Sequence, residues 1–298
     1  METHVRAFLT ALQAQERYSH NTILGYQNDL QHFSKYLYQH LGRPPEITDF
    51  NAEQVNAYLK SGDHIYKPST VKRRLATLKH FARFLQPTVE IEAFQFPAID
   101  QILSPITNVI RSRKISILSN EQVASLITAI KADPRPQARR DEAIFRLILE
   151  VGITVSRLAN LNFTDFDQQS NRLLLKKSTG ENWWFHIENS GPTLKQYLLE
   201  GRPELNPTPG ETALFIGQMG TRVSRQGVWQ ICQRWGEKIG FIDGLSPRIL
   251  RHTAVHRMIQ AGFLEKSIQE ILEHQNLEAT QGLLQRISEA ECILLSQD

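Results

Sequence analysis

Apolar residues recur at intervals of three and four along much of the chain, a spacing that predicts amphipathic helices. In SHNTILGYQNDLQHFSKYL, Ile23, Tyr26, Leu30, Phe33 and Leu37 make one such stripe. A proline-containing break follows at GRPPE, then a short helical stretch, EQVNAYLK. A further helix is predicted from Ser69, a favoured N-cap, with Val71, Leu75, Leu78, Ala82 and Leu85 as its buried stripe. From Gln86 to Ser119 the periodicity fades into a segment with three prolines and the basic cluster Arg111, Arg113 and Lys114, which reads as a linker. Ser119 and Gln122 then have the spacing of a capping box at the start of a new helix. RLLLKKSTGENWWFHI alternates as a β-hairpin with Gly180 in its turn. Val228, Ile231, Trp235 and Ile239 share one face of the next helix, Ser246 and Pro247 open another that Gly262 ends, and a last helical stretch runs through TQGLLQRISEAECILL.

The pattern predicts a mainly α protein with a small β-hairpin, an α+β chain. At 298 residues it is long for one hydrophobic core, so two domains are expected: a helical domain over 1–98, a linker over 99–115 and a second domain over 116–298. A composition of 41% hydrophobic and 22% charged residues is that of a globular protein and excludes a low-complexity chain. The start, METHVRAFLT, lacks the basic flank and apolar core of a signal peptide. The greasiest stretch, AIFRLILEVGITV, is interrupted by Arg146 and Glu150, so no membrane partner is expected. Cys232 and Cys292 are far apart and read as free thiols of a cytoplasmic protein.

Charge changes the picture through its distribution. The net +3 is weak, but from Tyr66 to Gln86 the chain carries Lys67, Lys72, Arg73, Arg74, Lys79 and Arg83 with no acid among them. Lys72, Lys79 and Arg83 fall in one stripe beside the apolar face of their helix. Such a face fits phosphate contact, with a solvated basic surface as the alternative.

The most informative segment is SPRILRHTAVHRMIQAG. Arg248, Arg251 and His252 crowd the first turn of a helix, whose macrodipole already makes that end positive. An anion such as phosphate would relieve the conflict, held by guanidinium and backbone N–H groups together; a tolerated basic helix end is the alternative. His252 and His256 are spaced i, i+4 with His274 further on, but without carboxylate ligands nearby, so no metal and no cofactor are expected.

LRHTAVHRMIQAG resembles the second-arginine motif of the tyrosine recombinases, the phage-integrase and Xer type. LEHQNLEATQGLLQRI resembles that family's Leu-Gly-His segment, and LILEVGITVSRLANLNFTDFD its first-arginine motif. The hairpin stands where the family carries a lysine, and YSHNTILGYQNDLQHFSKYL with STVKRRLATLKHFARFL is similar to its SAM-like helical core-binding domain. The resemblance runs from about Val5 to about Ile287 with every segment in family order. It implies a core-binding domain followed by the recombinase catalytic fold, double-stranded DNA as partner, and transesterification by a tyrosine assisted by two arginines, a lysine and histidines.

Residue by residue the chain departs from that set. The first arginine position holds Thr154, and the glutamate three on is Arg157. The first histidine of the second-arginine motif is Arg248, while Arg251 and His252 survive. The glycine of Leu-Gly-His is Glu273, its histidine survives as His274, and the tyrosine position is Leu283. An ungapped reading puts the hairpin lysine at Ser178, with Lys177 one residue away. No tyrosine follows Tyr197. Loss of one charge-stabilising group from a phosphoryl-transfer site costs about 10²–10⁵ in rate, and without a nucleophile the covalent route has no start. Ser288 and Cys292 lie close enough to Leu283 to be weighed as substitutes. The resulting expectation is a nucleoid-associated pseudoenzyme that binds duplex DNA through Lys72, Arg73, Lys79 and Arg83 of the first domain and Arg222, Arg225, Arg248 and Arg251 of the second. The alternative is an active enzyme of DNA recombination or DNA integration whose site is rearranged, or completed by a partner recombinase. The apolar ending Ile293, Leu294 and Leu295 would serve helix exchange in an oligomer or seal its own core.

Overall fold

The computed structural model describes residues 1–15, 18, 20–61, 68–86, 115–176, 182–241, 244–274 and 276–295; the side chains of 20, 68 and 291–295 are outside the description. The chain divides into two compact units, Met1–Arg113 and Lys114–Asp298. The linker cluster Arg111, Arg113 and Lys114 lies outside the described residues, as do Lys67, Lys177, Ser178 and Gly180.

The first unit is helical: α1 (Glu2–Gln13), α2 (His20–Leu41), a 3-10 turn (Ile47–Asp49), α3 (Ala52–Lys60) and α4 (Pro68–Leu85). The stripe read along α2 is its core face, with Ile23, Leu30, Phe33 and Leu37 buried and Tyr26 packed at the edge. The stripe read along α4 is also buried throughout. Helix α4 begins at Pro68 rather than with Ser69 as its cap, and proline's preset φ suits a first helical position. The sequence reading passed over α1, although Val5, Phe8 and Leu12 carry the same spacing. Phe8, Phe33, Phe50, Tyr58 and Phe81 meet edge to face in the core at centroid distances of 5.0–5.9 Å, a favoured geometry for aromatic pairs. The chain enters α3 through Asn51, whose side chain accepts from the Gln54 N–H at 2.9 Å.

The second unit opens with α5 (Asn120–Lys131), closed by the reciprocal Ser119/Gln122 box at 3.2 and 2.9 Å. Then come α6 (Pro136–Val151), α7 (Val155–Asn160), a 3-10 turn (Phe163–Asp165) and an antiparallel sheet β1 (Phe166–Asp167), β2 (Arg172–Lys176) and β3 (Asn182–His186) in the order β1-β2-β3. The predicted hairpin pairs Leu173 with Phe185 and Leu175 with Trp183, which turns these four side chains to one face. Its partner β1 is too short to leave a pattern in the sequence. Helix α8 (Gly191–Gln196) runs on through a π-helical turn (Tyr197–Gly201), followed by α9 (Arg225–Lys238), α10 (Pro247–Gln260), α11 (Glu265–Leu272) and α12 (Leu277–Leu295).

Helix α6 runs through the main core, so the apolar stretch around Ile144 to Val151 is a buried helix. Its buried charged residues Arg140, Asp141 and Glu142 are paired. Asp141, fully buried, accepts from Arg140 Nε at 2.9 Å, from Trp235 Nε1 at 2.8 Å and from Arg234 at 2.5 Å, tying α6 to α9. Among the described residues no helix is long and apolar enough to cross a membrane. A second apolar cluster joins Ile115 and Ile117 to α10, α11 and α12 through Val255, Met258, Ile271, Leu283, Ile287 and Ala290. Through Ala290, therefore, the last helix packs on its own unit.

Candidate functional site

The first turn of α10 is where the sequence placed its electrostatic conflict. Ser246 caps the helix, its hydroxyl accepting from the Ile249 N–H at 3.4 Å, and Pro247 follows. Arg248 is exposed, whereas Arg251 turns inward and donates to the Gly152 carbonyl at 2.7 Å and the Leu272 carbonyl at 3.1 Å. Gly152 ends α6 in the left-handed region (φ 65°), and Leu272 is the last residue of α11. Both carbonyls lie at helix C-termini, where backbone acceptors lack intrahelical partners and the macrodipole is negative. Two neighbouring helix ends thus supply the negative charge that the sequence reading assigned to a phosphate. Burial pulls the Arg251 pKa down to about 10; nearby Arg157 pushes the same way and Glu273 opposes it.

Among the described residues the replaced family positions carry structural contacts. Thr154 caps α7, its hydroxyl accepting from the Arg157 N–H at 3.3 Å. Arg157 donates to the Lys176 carbonyl at 2.7 Å and forms a tight ion pair with Glu273. Glu273 has φ 54° and ψ 41°, a left-handed conformation that favours glycine. His274 follows, its Nδ1 2.9 Å from the Thr280 hydroxyl, and burial and then Arg251 hold its pKa below the usual histidine value. His252 is buried and its Nε2 faces Arg248 Nε at 3.3 Å; burial first, then Arg248, Arg286 and Arg251, lower its pKa to about 4, so at neutral pH the ring is uncharged. Leu283 is buried in the cluster of α10, α11 and α12, with 7% of its surface exposed.

Two more of the expected DNA-contacting cations, besides Arg251, also carry internal pairs. Arg222 donates to the Ala159 and Leu161 carbonyls, each at 2.9 Å, and to Asn162 Oδ1 at 2.6 Å, pinning its loop to the end of α7. Arg73 is ion-paired with Asp29 of α2, a carboxylate only 2% exposed that also lies 3.8 Å from Arg74 and accepts from the Thr77 hydroxyl at 2.9 Å. The basic run of α4 does have an acid, brought to it by another helix. Lys72 and Arg83 are exposed on α4, and Lys79 is half-buried there; Arg225 and Arg248 are exposed in the second unit. Lys177 lies outside the described residues.

Of the two weighed substitute nucleophiles, Ser288 is exposed on α12, and the Cys292 side chain lies outside the described residues. Tyr197 is fully buried; its hydroxyl accepts from the Ile216 N–H at 3.2 Å, and burial pushes its pKa up to about 12. Cys232 is buried, and its thiol is held well above the usual range by that burial and by Asp141. Among the described residues no group of three or more His, Cys, Asp or Glu could hold a metal ion. The Arg157–Glu273 pair is the part of the site that sequence reasoning missed. Its signal in the sequence is a pair of opposite-charge departures from one family pattern, at Arg157 and Glu273.

A helical first unit, followed by a helical second unit with a three-stranded antiparallel sheet and an inward arginine on α10, defines an integrase-type architecture. A family model described as "Phage integrase family" matches residues 116–285, and one described as "Phage integrase, N-terminal SAM-like domain" matches residues 5–87. The chain belongs to the phage integrase family, the tyrosine recombinases. It is 32% identical to a "Tyrosine recombinase XerC" of Roseiflexus castenholzii (strain DSM 13941 / HLO8) over 94% of this chain and 88% of that relative. Among solved structures, a lambda integrase dimer bound to a COC' core site shares the fold at TM-score 0.68, with 14% identity over 95% of this chain and 94% of that one. The XerH site-specific recombinase bound to palindromic difH substrate in a post-cleavage complex shares it at TM-score 0.67, with 17% identity over 91% of this chain and 79% of that one.

Proposed function

We propose that this chain binds duplex DNA and does not cut it by the family's tyrosine route. The observation that carries the reading is Leu283: it stands at the nucleophile's position, its side chain is part of an apolar cluster, and no tyrosine follows Tyr197. Thr154 supports it, since a helix cap stands where the family has a charge-stabilising arginine. The solved structures of the same fold in complex with DNA support duplex DNA as the ligand. Exposed Lys72, Arg83, Arg225 and Arg248 are the cations best placed to meet phosphates, with Lys79 beside them. Such contacts set affinity and its salt dependence, while sequence choice needs base-edge contacts.

The test is selection of genomic fragments on the purified protein at about 150 mM salt, where non-specific binding is weak, followed by covalent capture on a nicked duplex made from any selected site. A shared site with no covalent adduct is the expected result. Absence of any enriched fragment removes the binding reading. An adduct establishes instead an active recombinase with a rearranged site, the reading that the name of the Roseiflexus relative favours. Mixing with a cognate recombinase before capture tests completion of the site, or helix exchange, by a partner. Nucleoid association follows from the same reading and is checked by co-sedimentation with cellular DNA.

A further inference from the structure

Asp29 of α2 is buried, yet it faces two guanidinium groups of α4. Arg73 forms a tight ion pair with it, Arg74 Nε lies 3.8 Å away, and the Thr77 hydroxyl donates to it at 2.9 Å. One carboxylate against two arginines leaves one positive charge uncompensated. The two arginines differ in where they show it. Arg74 is buried, with its guanidinium over the Tyr58 ring at 5.6 Å, whereas the Arg73 side chain is 51% exposed. Among the described residues Asp29 is the only side-chain partner of Arg73, so part of its donor fork is left for an external acceptor. The surface around it allows close approach. The exposed face of α4 carries Ser69, Lys72, Arg73, Ala76 and Arg83 at helical spacings of three, four and seven, with half-buried Lys79 beside them. Ala76 has no side chain beyond Cβ, so a partner can come near the helix backbone between the cations. No acid lies on α4, and the one that α2 supplies sits behind Arg73.

Exposed, unanchored cations such as Lys72 and Arg83 suit phosphates, which set affinity and carry no sequence choice. A guanidinium fixed from behind holds its remaining donors at a set angle, and a donor pair of that kind matches the O6 and N7 acceptors of guanine in the major groove. We propose that Asp29 is a positioning residue that holds Arg73 to read a guanine edge, and so supplies a base-edge contact on which sequence choice depends. The inference rests on the duplex-binding reading and deepens it, by assigning affinity and base choice to different side chains of one helix face. The other reading of the pair is a tether between α2 and α4 with no part in base choice. A tether acts on stability and on every DNA sequence alike, which separates the two.

The test uses the full chain and its Arg73→Lys, Asp29→Asn and Thr77→Val variants, with Lys72→Ala for comparison. Each is mixed at about 150 mM salt with a library of duplexes carrying a randomised segment, and the bound fraction is sequenced. The parent is expected to select guanine at one or more positions. Arg73→Lys keeps the charge and loses the fork, so it should lower that preference at one position by about tenfold and leave the other positions and the salt slope unchanged. Asp29→Asn and Thr77→Val should lower the same preference although Arg73 is still present. Lys72→Ala should weaken all sequences evenly. Placing 7-deazaguanine at the preferred position removes the N7 acceptor, and should cost the parent affinity but not Arg73→Lys. Thr77→Val keeps both charges and carries the positioning test if Asp29→Asn does not fold. Variants that keep the parent's preference at every position, or that weaken all sequences alike, would overturn the proposal. A preference lost in Arg73→Lys alone overturns the role of Asp29. No duplex binding by the parent removes the DNA reading and this inference with it; binding with an unchanged preference removes this inference alone.

Discussion

His252 makes the second unit sensitive to acid, and the size of the effect follows from its setting. The ring is 7% exposed and lies among Arg248, Arg251 and Arg286, so it stays neutral in the folded protein down to about pH 4, against 6.5 for a free histidine. Between those values the unfolded chain binds one more proton than the folded one, so stability rises with pH through that window and is lost as pH falls through it. At about 1.4 kcal/mol for each tenfold change in proton activity, the loss from pH 6.5 to 4 is about 3 kcal/mol. The perturbation is His252→Gln, which keeps a polar group beside Arg248 and removes the titration. All four tryptophans, Trp183, Trp184, Trp229 and Trp235, lie in the second unit, so urea unfolding followed by tryptophan fluorescence reports on that unit alone. Carboxylates titrate in both proteins, and the difference between the two stability curves isolates His252. The expected difference is flat above pH 6.5 and opens in favour of the variant towards pH 4. Curves that stay parallel across the window would refute a buried neutral ring.

Leu283→Ala should cost about 2–5 kcal/mol, as for a leucine in a packed cluster, and appear as a lower urea midpoint; Leu283→Tyr overpacks the same site and should give no covalent DNA adduct, since Thr154 still stands at the arginine position. Asp141→Ala leaves Arg140 and Arg234 without their buried counter-ion and should cost about 3–5 kcal/mol in the same assay. Arg222→Ala should lower thermal stability while leaving the salt slope of duplex binding unchanged, because its three bonds are internal. Lys72→Ala with Arg83→Ala should do the opposite, each flattening the logarithmic slope by about 0.9 with little change in melting temperature.

The helices that could be read from the sequence were those whose burial repeats along one segment. Ile23, Leu30, Phe33 and Leu37 each announce the same face, so one misplaced residue changes nothing. The Ser119/Gln122 box is equally local, since both of its bonds close within four residues. Features of one or two residues had no such redundancy: β1 is two residues long, and Pro68 rather than Ser69 opens α4. Charges were the least legible, because a charge is neutralised by whatever the fold brings near it. Arg73 reads as unpaired along its own helix, and its carboxylate lies 44 residues earlier in the chain. Arg222 reads as a surface cation, and its acceptors lie some 60 residues earlier.

Arg251 shows what a local conflict in sequence does and does not reveal. Basic side chains at a helix start point to a local conflict, yet the pattern does not say what resolves it. Helix C-termini and a bound phosphate offer the same thing to a guanidinium group, oxygen atoms bearing partial or full negative charge. Only the fold shows that Gly152 and Leu272 already fill part of that role. The departures from the family pattern follow the same logic. Thr154 caps a helix, Leu283 fills an apolar cluster, Arg248 lies beside a neutral His252, and Arg157 pairs with Glu273. A site eroding at random would leave unpaired charges and cavities at these positions, at a cost of about 1–5 kcal/mol each. The contacts made instead let the second unit keep its fold without keeping the family's residues at these positions.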